Sequence, residues 1–388
     1  MSNRLLILTA GFGEGHNAAA RALAAACDAL HGPDTACVAD AFALAAPRLN
    51  DVARRGYLGL INCAPKLWSA AYAWLDRSTA VAPMLRLLRA EQRVLAGLIA
   101  REKPTAICCT YPVYAYLLGA LAREGRLTVP FYNIVTDSIS INSLWWRAGA
   151  AGWFLPNEDS AAVMRSAGVE ARRLHVLGFP VPEFFTAHAG LLRPPDLALG
   201  TAPRVLYIIN SGTRGALATA HLLLTETDWA ITFAVGRDEA LRRELVRLAA
   251  GRKPPVEILG WTNEIPRLLM THHVVVSKAG GATTQEALAA CCPMVVNQIV
   301  PGQEEGNYEL LRRHGVGALA ETPTAVVAEL QRAFLGGGRV WREWRAALQP
   351  LSHPAAAREI VAAVLGRASV WPDFEPVPVP FRPVATSA

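Results

Sequence analysis

The chain has 388 residues, of which 52% are hydrophobic and 18% charged, with a formal net charge of +6. It is long for one globular domain, comfortable for two and too apolar for extended disorder. Seven cysteines, with two vicinal pairs (Cys108–Cys109 and Cys291–Cys292) and no C-x-x-C, read as buried reduced thiols of a cytoplasmic protein.

Met1 to Ala10 has no separate apolar core followed by a small-residue cleavage site, so no secretory signal is expected. Leu5 to Ala10 reads as a strand and Asn17 to Leu30 as a helix with its apolar residues on one side. Thr35 to Ala39 is a second strand. From Arg48 to Lys103 there are ten basic residues against four acidic ones, which is the whole positive excess of the chain. The uncharged stretch Pro104 to Ala122 is too interrupted by Pro104, Pro112 and three tyrosines to span a membrane; it reads as a buried strand, Ala106 to Thr110, and a following helix. Strands at Phe131 to Thr136, Gly152 to Pro156 and His175 to Leu177 complete a first alternation. Phe185 to Pro203, with weak periodicity and Pro194, Pro195, Gly200 and Pro203, reads as a linker.

A second alternation follows. Strands are expected at Arg204 to Ile209, Ala230 to Val235, Val256 to Leu259, His273 to Ser277 and Met294 to Asn297. Helices are expected at Arg214 to Thr225, Asp238 to Ala250 and Thr283 to Ala290. Buried strands separated by helices predict parallel, doubly wound sheets, so the fold class is α/β with two Rossmann-like domains facing a cleft. Their expected bounds are 1–190 and 204–368. A tail, 369–388, carries five prolines between Pro372 and Pro383 and is expected to be mobile or draped over the surface.

Three motifs fall at strand-to-helix turns. The first is Thr9-Ala-Gly11-Phe-Gly13-Glu-Gly15-His16-Asn17. Its glycines allow close backbone approach to a ligand beside a helix N-terminus. A dinucleotide fingerprint would need a glycine at residue 16, which is His16, even though Asp40 would suit that reading. A lone histidine is usually structural or exposed, but His16 sits on a glycine loop at the carboxyl end of strand one, where open α/β sheets bind ligands, and can act as general base. The second is Ser277-Lys-Ala-Gly280-Gly281-Ala-Thr283-Thr284-Gln-Glu286, a phosphate cradle by its physics. Glu286 reads either as a partner of the helix dipole in the first turn or as a carboxylate gripping ribose hydroxyls. The third, Val300-Pro-Gly302-Gln303-Glu304-Glu305-Gly306-Asn307, reads either as a helix N-cap region or as a polar set suited to sugar hydroxyls.

The first motif, Val38-Ala-Asp40-Ala-Phe42, Val135-Thr-Asp137 and Leu177-Gly-Phe-Pro180-Val together resemble the N-terminal domain of the monogalactosyldiacylglycerol synthase and processive diacylglycerol glucosyltransferase family, in glycosyltransferase family 28. The second and third motifs resemble the donor domain that this family shares with the peptidoglycan N-acetylglucosaminyltransferase of lipid II synthesis. The match runs in order over roughly residues 3 to 320. The resemblance implies a GT-B fold and an inverting hexosyltransferase that moves a sugar from a UDP-sugar to a lipid such as diacylglycerol. It places Gly280, Gly281, Thr283, Thr284 and Glu286 at the diphosphate and ribose, and Gln303, Glu304 and Asn307 at the sugar. Gly260 and Trp261 fall in the segment that lines the uracil pocket with backbone groups. His16 and Asp137 would flank the acceptor hydroxyl, with Gly13, Gly15 and Asn17 in the acceptor loop. The turn opening the second domain reads Asn210-Ser211-Gly212-Thr213-Arg214, with Asn210 and Ser211 where glycines are commoner; Arg214 can pair with phosphate as a bidentate donor. The lipid synthases carry a histidine shortly after Thr-Asp, and this chain has none between Asp137 and Trp146.

No D-x-D triplet occurs, so the leaving diphosphate is expected to be neutralised by helix N-termini and basic side chains, with no metal and no cofactor. The basic segment also holds Tyr57, Trp68, Tyr72 and Trp74, and Trp68, Tyr72 and Leu75 share a helical face. Such a face is either ordinary core or an interfacial surface for anionic lipid. The expectation is a cytoplasmic protein held peripherally at the membrane, without nucleic-acid binding. A transferase or epimerase acting on a soluble UDP-sugar, and a non-catalytic UDP-sugar sensor, are the alternatives.

Overall fold

The computed structural model describes residues 4–64, 67, 70, 71, 74, 76, 78, 84, 88–209, 213–302 and 304–367. Two compact units form. The first contains residues up to 183, the segment Pro301–Gly306 and the residues from 355 on; the second contains Phe184–Val300 and Asn307–Pro354.

The first unit holds a parallel sheet of six strands: β1 (Leu5–Leu8), β2 (Ala36–Ala39), β3 (Ala106–Cys109), β4 (Phe131–Ile134), β5 (Gly152–Leu155) and β6 (Leu174–Val176). Their order is β2-β1-β3-β4-β5-β6. Alternating side chains of a strand point to opposite faces, so each strand feeds two cores. Leu6, Leu8, Ile107 and Cys109 pack on one side with Leu117 and Leu121 of a helix at Val113–Arg123. Leu5, Ile7, Ala106 and Cys108 pack on the other, against Ala20, Leu23 and Cys27 of α1 (Glu14–His31). The vicinal thiols Cys108 and Cys109 therefore serve both cores, and burial pushes both thiols up.

The helix at Ala356–Arg367 joins this unit and not the second, within which the sequence placed it. Its apolar residues Ile360, Val361 and Val364 enter the core that α1 shares with β1 and β3, and Arg358 pairs with Glu183 at 2.8 Å. Between β2 and β3 lie α2 (Ala41–Ala45) and α3 (Pro47–Cys63). The expected face of Trp68, Tyr72 and Leu75 and the proline-rich tail lie outside the described residues.

The second unit repeats the pattern: β7 (Arg204–Ile208), β8 (Ala230–Ala234), β9 (Val256–Leu259), β10 (Val274–Lys278), β11 (Met294–Gln298) and a two-residue β12 (Ala318–Leu319). The order is β12-β11-β10-β7-β8-β9, all parallel. The expected linker is partly ordered, with a short helix at Glu183–His188 and a 3-10 turn at Leu197–Leu199. A long helical stretch, Pro323–Leu348, is broken at Leu335–Gly338, where three successive glycines take φ of 61°, 67° and 82°. Only residues without a Cβ adopt such a run cheaply. At Gly338 a Cβ would also meet Leu197 Cδ1 at 2.5 Å.

Two buried histidines tie this sheet together. His273 accepts the Arg204 N–H at Nδ1 (2.9 Å), donates from Nε2 to the Pro195 carbonyl (2.8 Å), and its own carbonyl accepts the Trp341 indole N–H (2.7 Å). His272 bonds the Leu268 carbonyl through Nδ1 and Thr232 Oγ1 through Nε2. Burial, the largest cause, pushes its pKa down to about 4 from the ordinary 6.5. A group that is kept neutral in the folded state stabilises the fold fully above its unfolded pKa, and this contribution is lost as pH falls towards the folded value. The urea midpoint of the protein is therefore expected to fall between pH 6.5 and pH 4, and His272→Gln is expected to flatten that dependence. Equal slopes for the two proteins would contradict the assignment.

Candidate functional site

In an open parallel sheet, ligands bind at the carboxyl ends of the strands where the order of strands reverses. That point lies between β1 and β3 in the first sheet and between β7 and β10 in the second. The motifs fall on the loops that leave these strands.

In the first unit the chain leaves β1 through Gly11 and Gly13. Gly13, with φ 136°, is the N-cap of α1. The helix starts three residues earlier than periodicity indicated, so His16 stands in its first turn and not on the preceding loop. Asp40 holds the loop: its Oδ2 accepts the Gly11 N–H (3.1 Å), and its Oδ1 caps α2 through the N–H groups of Phe42 and Ala43 (3.0 Å each). The acid that would suit a dinucleotide ribose is thus spent on the backbone. Asn17 Oδ1 accepts the Thr9 hydroxyl at 2.9 Å, and Gly15 is half-buried in the first helical turn. Tyr114 completes the brace, donating to the Thr9 carbonyl at 2.7 Å and accepting the Ala41 N–H at 2.9 Å.

His16 is buried, with Nδ1 2.8 Å from Thr136 Oγ1 and its ring edge-on to Tyr111 at 5.2 Å. Asp137 follows Thr136, and its Oδ2 accepts the Trp145 indole N–H at 2.8 Å. Burial pulls the His16 pKa down, while Asp137 and the Thr110 carbonyl oppose that shift. Burial pushes the Asp137 carboxyl up, and His16 and the Trp145 N–H oppose it. The structure therefore brings together the two groups that the sequence singled out for proton transfer. It adds Thr136, Tyr111 and Trp145, to which no motif assigns a role. Phe12 and Phe42 pack on Tyr111, and Tyr57 packs edge-on to Phe12.

In the second unit, α12 (Gly281–Ala289, the twelfth helix in chain order among those described) follows β10 through a bulge at Ser277–Lys278. Its first i→i−4 bond is made by the Thr284 N–H to the Gly280 carbonyl (2.9 Å), so the amides of Gly281, Ala282 and Thr283 precede the hydrogen-bonded ladder. Thr284 is fully buried with its hydroxyl turned to Met294 Sδ (3.8 Å), so that hydroxyl is packed into the core. Because the helix starts at Gly281, Glu286 lies in its second turn and is no first-turn partner of the dipole. Asn307 is buried, and its Nδ2 donates to the Ala279 carbonyl (2.9 Å), stitching the third motif to the turn of the second. Among the described residues, Ser277 Oγ and Asn307 Oδ1 are buried polar atoms without a hydrogen-bond partner, both at this turn.

Trp261 is exposed after β9, and a Cβ on Gly260 would stand 3.5 Å from the Gly236 carbonyl. Thr213 and Arg214 open the helix at Thr213–Glu226, but their side chains, Gly212 and Gln303 lie outside the described residues. Glu304 is buried in the segment grouped with the first unit. Among the described residues no group of three or more His, Cys, Asp or Glu side chains could hold a metal ion, and no helix is long and apolar enough to cross a membrane.

Two six-stranded parallel sheets, each with its motif loops at the carboxyl edge, define a GT-B fold, and solved structures bear this out. A UDP-GlcNAc 2-epimerase from Neisseria meningitidis aligns with a TM-score of 0.59 at 13% identity, covering 94% of this chain and 100% of that one. MurG from Acinetobacter baumannii aligns at 0.57 and 12% identity, over 94% and 99%. The Monogalactosyldiacylglycerol (MGDG) synthase family matches residues 16–181. Over 386 residues, 97% of each chain, the sequence is 24% identical to the processive diacylglycerol beta-glucosyltransferase of Bacillus cereus (strain AH820). The chain is a glycosyltransferase of GT-B fold related to the diacylglycerol glycosyltransferases, as its motifs led us to expect.

The Tyr114 brace can be tested on its own. Tyr114→Phe leaves the Ala41 N–H and the Thr9 carbonyl without their partner. It is expected to cost about 1–3 kcal/mol of stability in urea denaturation. An unchanged midpoint would show that the brace contributes nothing.

Proposed function

We propose that the protein transfers a hexose from a UDP-sugar to the hydroxyl of a lipid such as diacylglycerol, with inversion at the anomeric carbon. The observation that carries this reading is the pairing of buried His16 with half-buried Asp137 at the switch point of the first sheet. The lipid acceptor rests on the relatives, which are named for diacylglycerol glucosylation and span nearly the whole chain.

In this reading the acceptor oxygen attacks the anomeric carbon as the bond to the diphosphate oxygen breaks, and UDP leaves with the bonding electrons. The acceptor proton passes to His16. Its lowered pKa leaves the imidazole neutral and able to accept, and the neighbouring Asp137 carboxylate stabilises the imidazolium as it forms. The pair lies against apolar and aromatic groups, where such charge pairing counts for more than in water. On the donor side, the leading amides of α12 suit the diphosphate, and Glu286 suits the ribose. Gln303 and Glu304 are assigned to the sugar. Asn307 acts there through the turn it stitches. Fixed dipoles in place of a chelated cation fit a sequence with no D-x-D triplet.

The protein would dock on anionic membrane through α3. Leu49 and Val52, at 68% and 66% exposure, lie on one face with Ala53 and Gly56, flanked by exposed Arg48, Arg54 and Arg55. Leu67, Trp74 and Met84 add exposed apolar surface further along. An apolar stripe edged by cations suits a lipid headgroup boundary.

Incubation with a panel of UDP-hexoses, with and without diacylglycerol vesicles, is expected to give lipid-dependent release of UDP, undiminished by EDTA. His16→Ala is expected to lower kcat by about 10²–10⁴-fold with little change in UDP affinity. Turnover that is equally fast without lipid would favour a soluble acceptor. UDP-sugar binding without turnover, unaffected by His16→Ala, would favour a sensor. For the docking face, Leu49→Glu with Val52→Glu is expected to weaken binding to phosphatidylglycerol vesicles at least tenfold, because each residue contributes about 1.5–3 kcal/mol when buried. Unchanged sedimentation with vesicles would contradict that assignment.

A further inference from the structure

Asp137 is half-buried, between the buried Thr136 and Ser138, and a carboxylate shielded from water is held as an anion only where hydrogen bonds or countercharges replace the lost water. The groups that face it are His16 from α1, Tyr111 after β3 and the indole of Trp145. Of these, only Trp145 brings an N–H on a rigid ring with one direction of donation. The ring is 1% exposed and stands 6.3 Å from the His16 imidazole, tilted by 49°. It therefore touches both members of the proton-transfer pair.

Trp145 sits on a helix of four residues, Leu144–Arg147, too short to hold itself in place. Its position comes from anchors on three sides. The Trp145 carbonyl accepts two side-chain donors, Asn133 Nδ2 at 2.9 Å and Trp153 Nε1 at 2.7 Å. Ser143, just before the helix, donates its N–H to the Asp76 carboxylate (2.6 Å) and its hydroxyl to the Asp76 carbonyl (2.7 Å). Arg147, at its end, donates to the Ser78 carbonyl (2.7 Å) and to the Asp76 carbonyl. Asn142 Oδ1 accepts the N–H of Leu144, the first residue of the helix, at 3.1 Å. The run that follows Thr136-Asp137, which lacks the histidine of the lipid synthases, is thus built to aim one indole.

We propose that Trp145 is a positioning residue for sugar transfer: its indole N–H holds Asp137 Oδ2 so that the carboxylate faces His16. The inference rests on the reading of His16 and Asp137 as the proton-transfer pair. It gives the Asn133, Trp153 and Asp76 contacts one shared purpose, which is to fix the direction of that N–H.

The test compares the full-length protein with Trp145→Phe and with a variant carrying 3-benzothienylalanine at 145, which keeps the shape of the indole and has no N–H. In both, kcat is expected to fall about tenfold or more, because a hydrogen bond to a charged group is lost. KM for the UDP-hexose should stay within about twofold, since the ring lies in the acceptor unit. The acid limb of the kcat/KM profile should move up by about one pH unit. The benzothienyl variant separates loss of the N–H from loss of packing if Trp145→Phe does not fold. A second readout needs no turnover: in protein labelled with ¹³Cγ-aspartate, the Asp137 signal, assigned with Asp137→Asn, should titrate at higher pH in both variants. A midpoint and acid limb unmoved in the benzothienyl variant would overturn the proposal. Wild-type protein inert with every UDP-hexose, but with an Asp137 midpoint that still moves in the variants, would overturn the transfer reading and leave the Trp145 tether standing.

Discussion

A parallel sheet covered by helices on both faces leaves polar side chains most room where its strands end. In the first unit both faces of β1 and β3 are filled by aliphatic residues and thiols, with α1 and the helix at Ala356–Arg367 sealing one side. The polar groups with chemical capacity are driven to the carboxyl edge, where the loops after β1, β3 and β4 diverge. His16 comes from the first turn of α1, and Thr110, Tyr111, Thr136 and Asp137 come from the loops after β3 and β4. The second unit follows the same tendency, and its Ser277, Gly280 and Asn307 gather at the carboxyl end of β10.

What this edge does to charge follows from its burial. His16 is disfavoured as a cation and Asp137 as an anion when each is considered alone, and each makes the other's charge less costly. Such mutual dependence suits a pair that must gain and then lose a proton. Hydrogen bonds from neighbouring polar side chains set the geometry: Thr136 on the imidazole and Trp145 on the carboxylate.

Much of this was legible in the sequence, because buried parallel strands are short apolar runs and the functional turns sit at their ends. The strands and their alternation with helices emerge within a residue or two, except β12, whose Ala318–Leu319 is too short to carry a pattern. The start of α1 is not legible in the same way: Glu14-Gly15 looks like loop, whereas Gly13 supplies the unusual φ that lets the helix begin at residue 14. The inward turn of the Thr284 hydroxyl and the stitching role of Asn307 depend on which way a side chain points, and spacing does not carry that. The contact of Trp145 is hidden for a related reason: an aromatic residue in an apolar run reads as core, and only the position of Asp137 shows where its N–H donates. The return of the Ala356–Arg367 helix to the first unit is a tertiary choice that an amphipathic pattern leaves open.

The central claim is a single displacement in which His16, supported by Asp137, deprotonates the acceptor as UDP leaves. The most direct measurement is the anomeric configuration of the product formed from an α-linked UDP-hexose, read from the proton coupling at the anomeric carbon by NMR. The account predicts a β-glycoside. An α-glycoside would require retention of configuration and would contradict it.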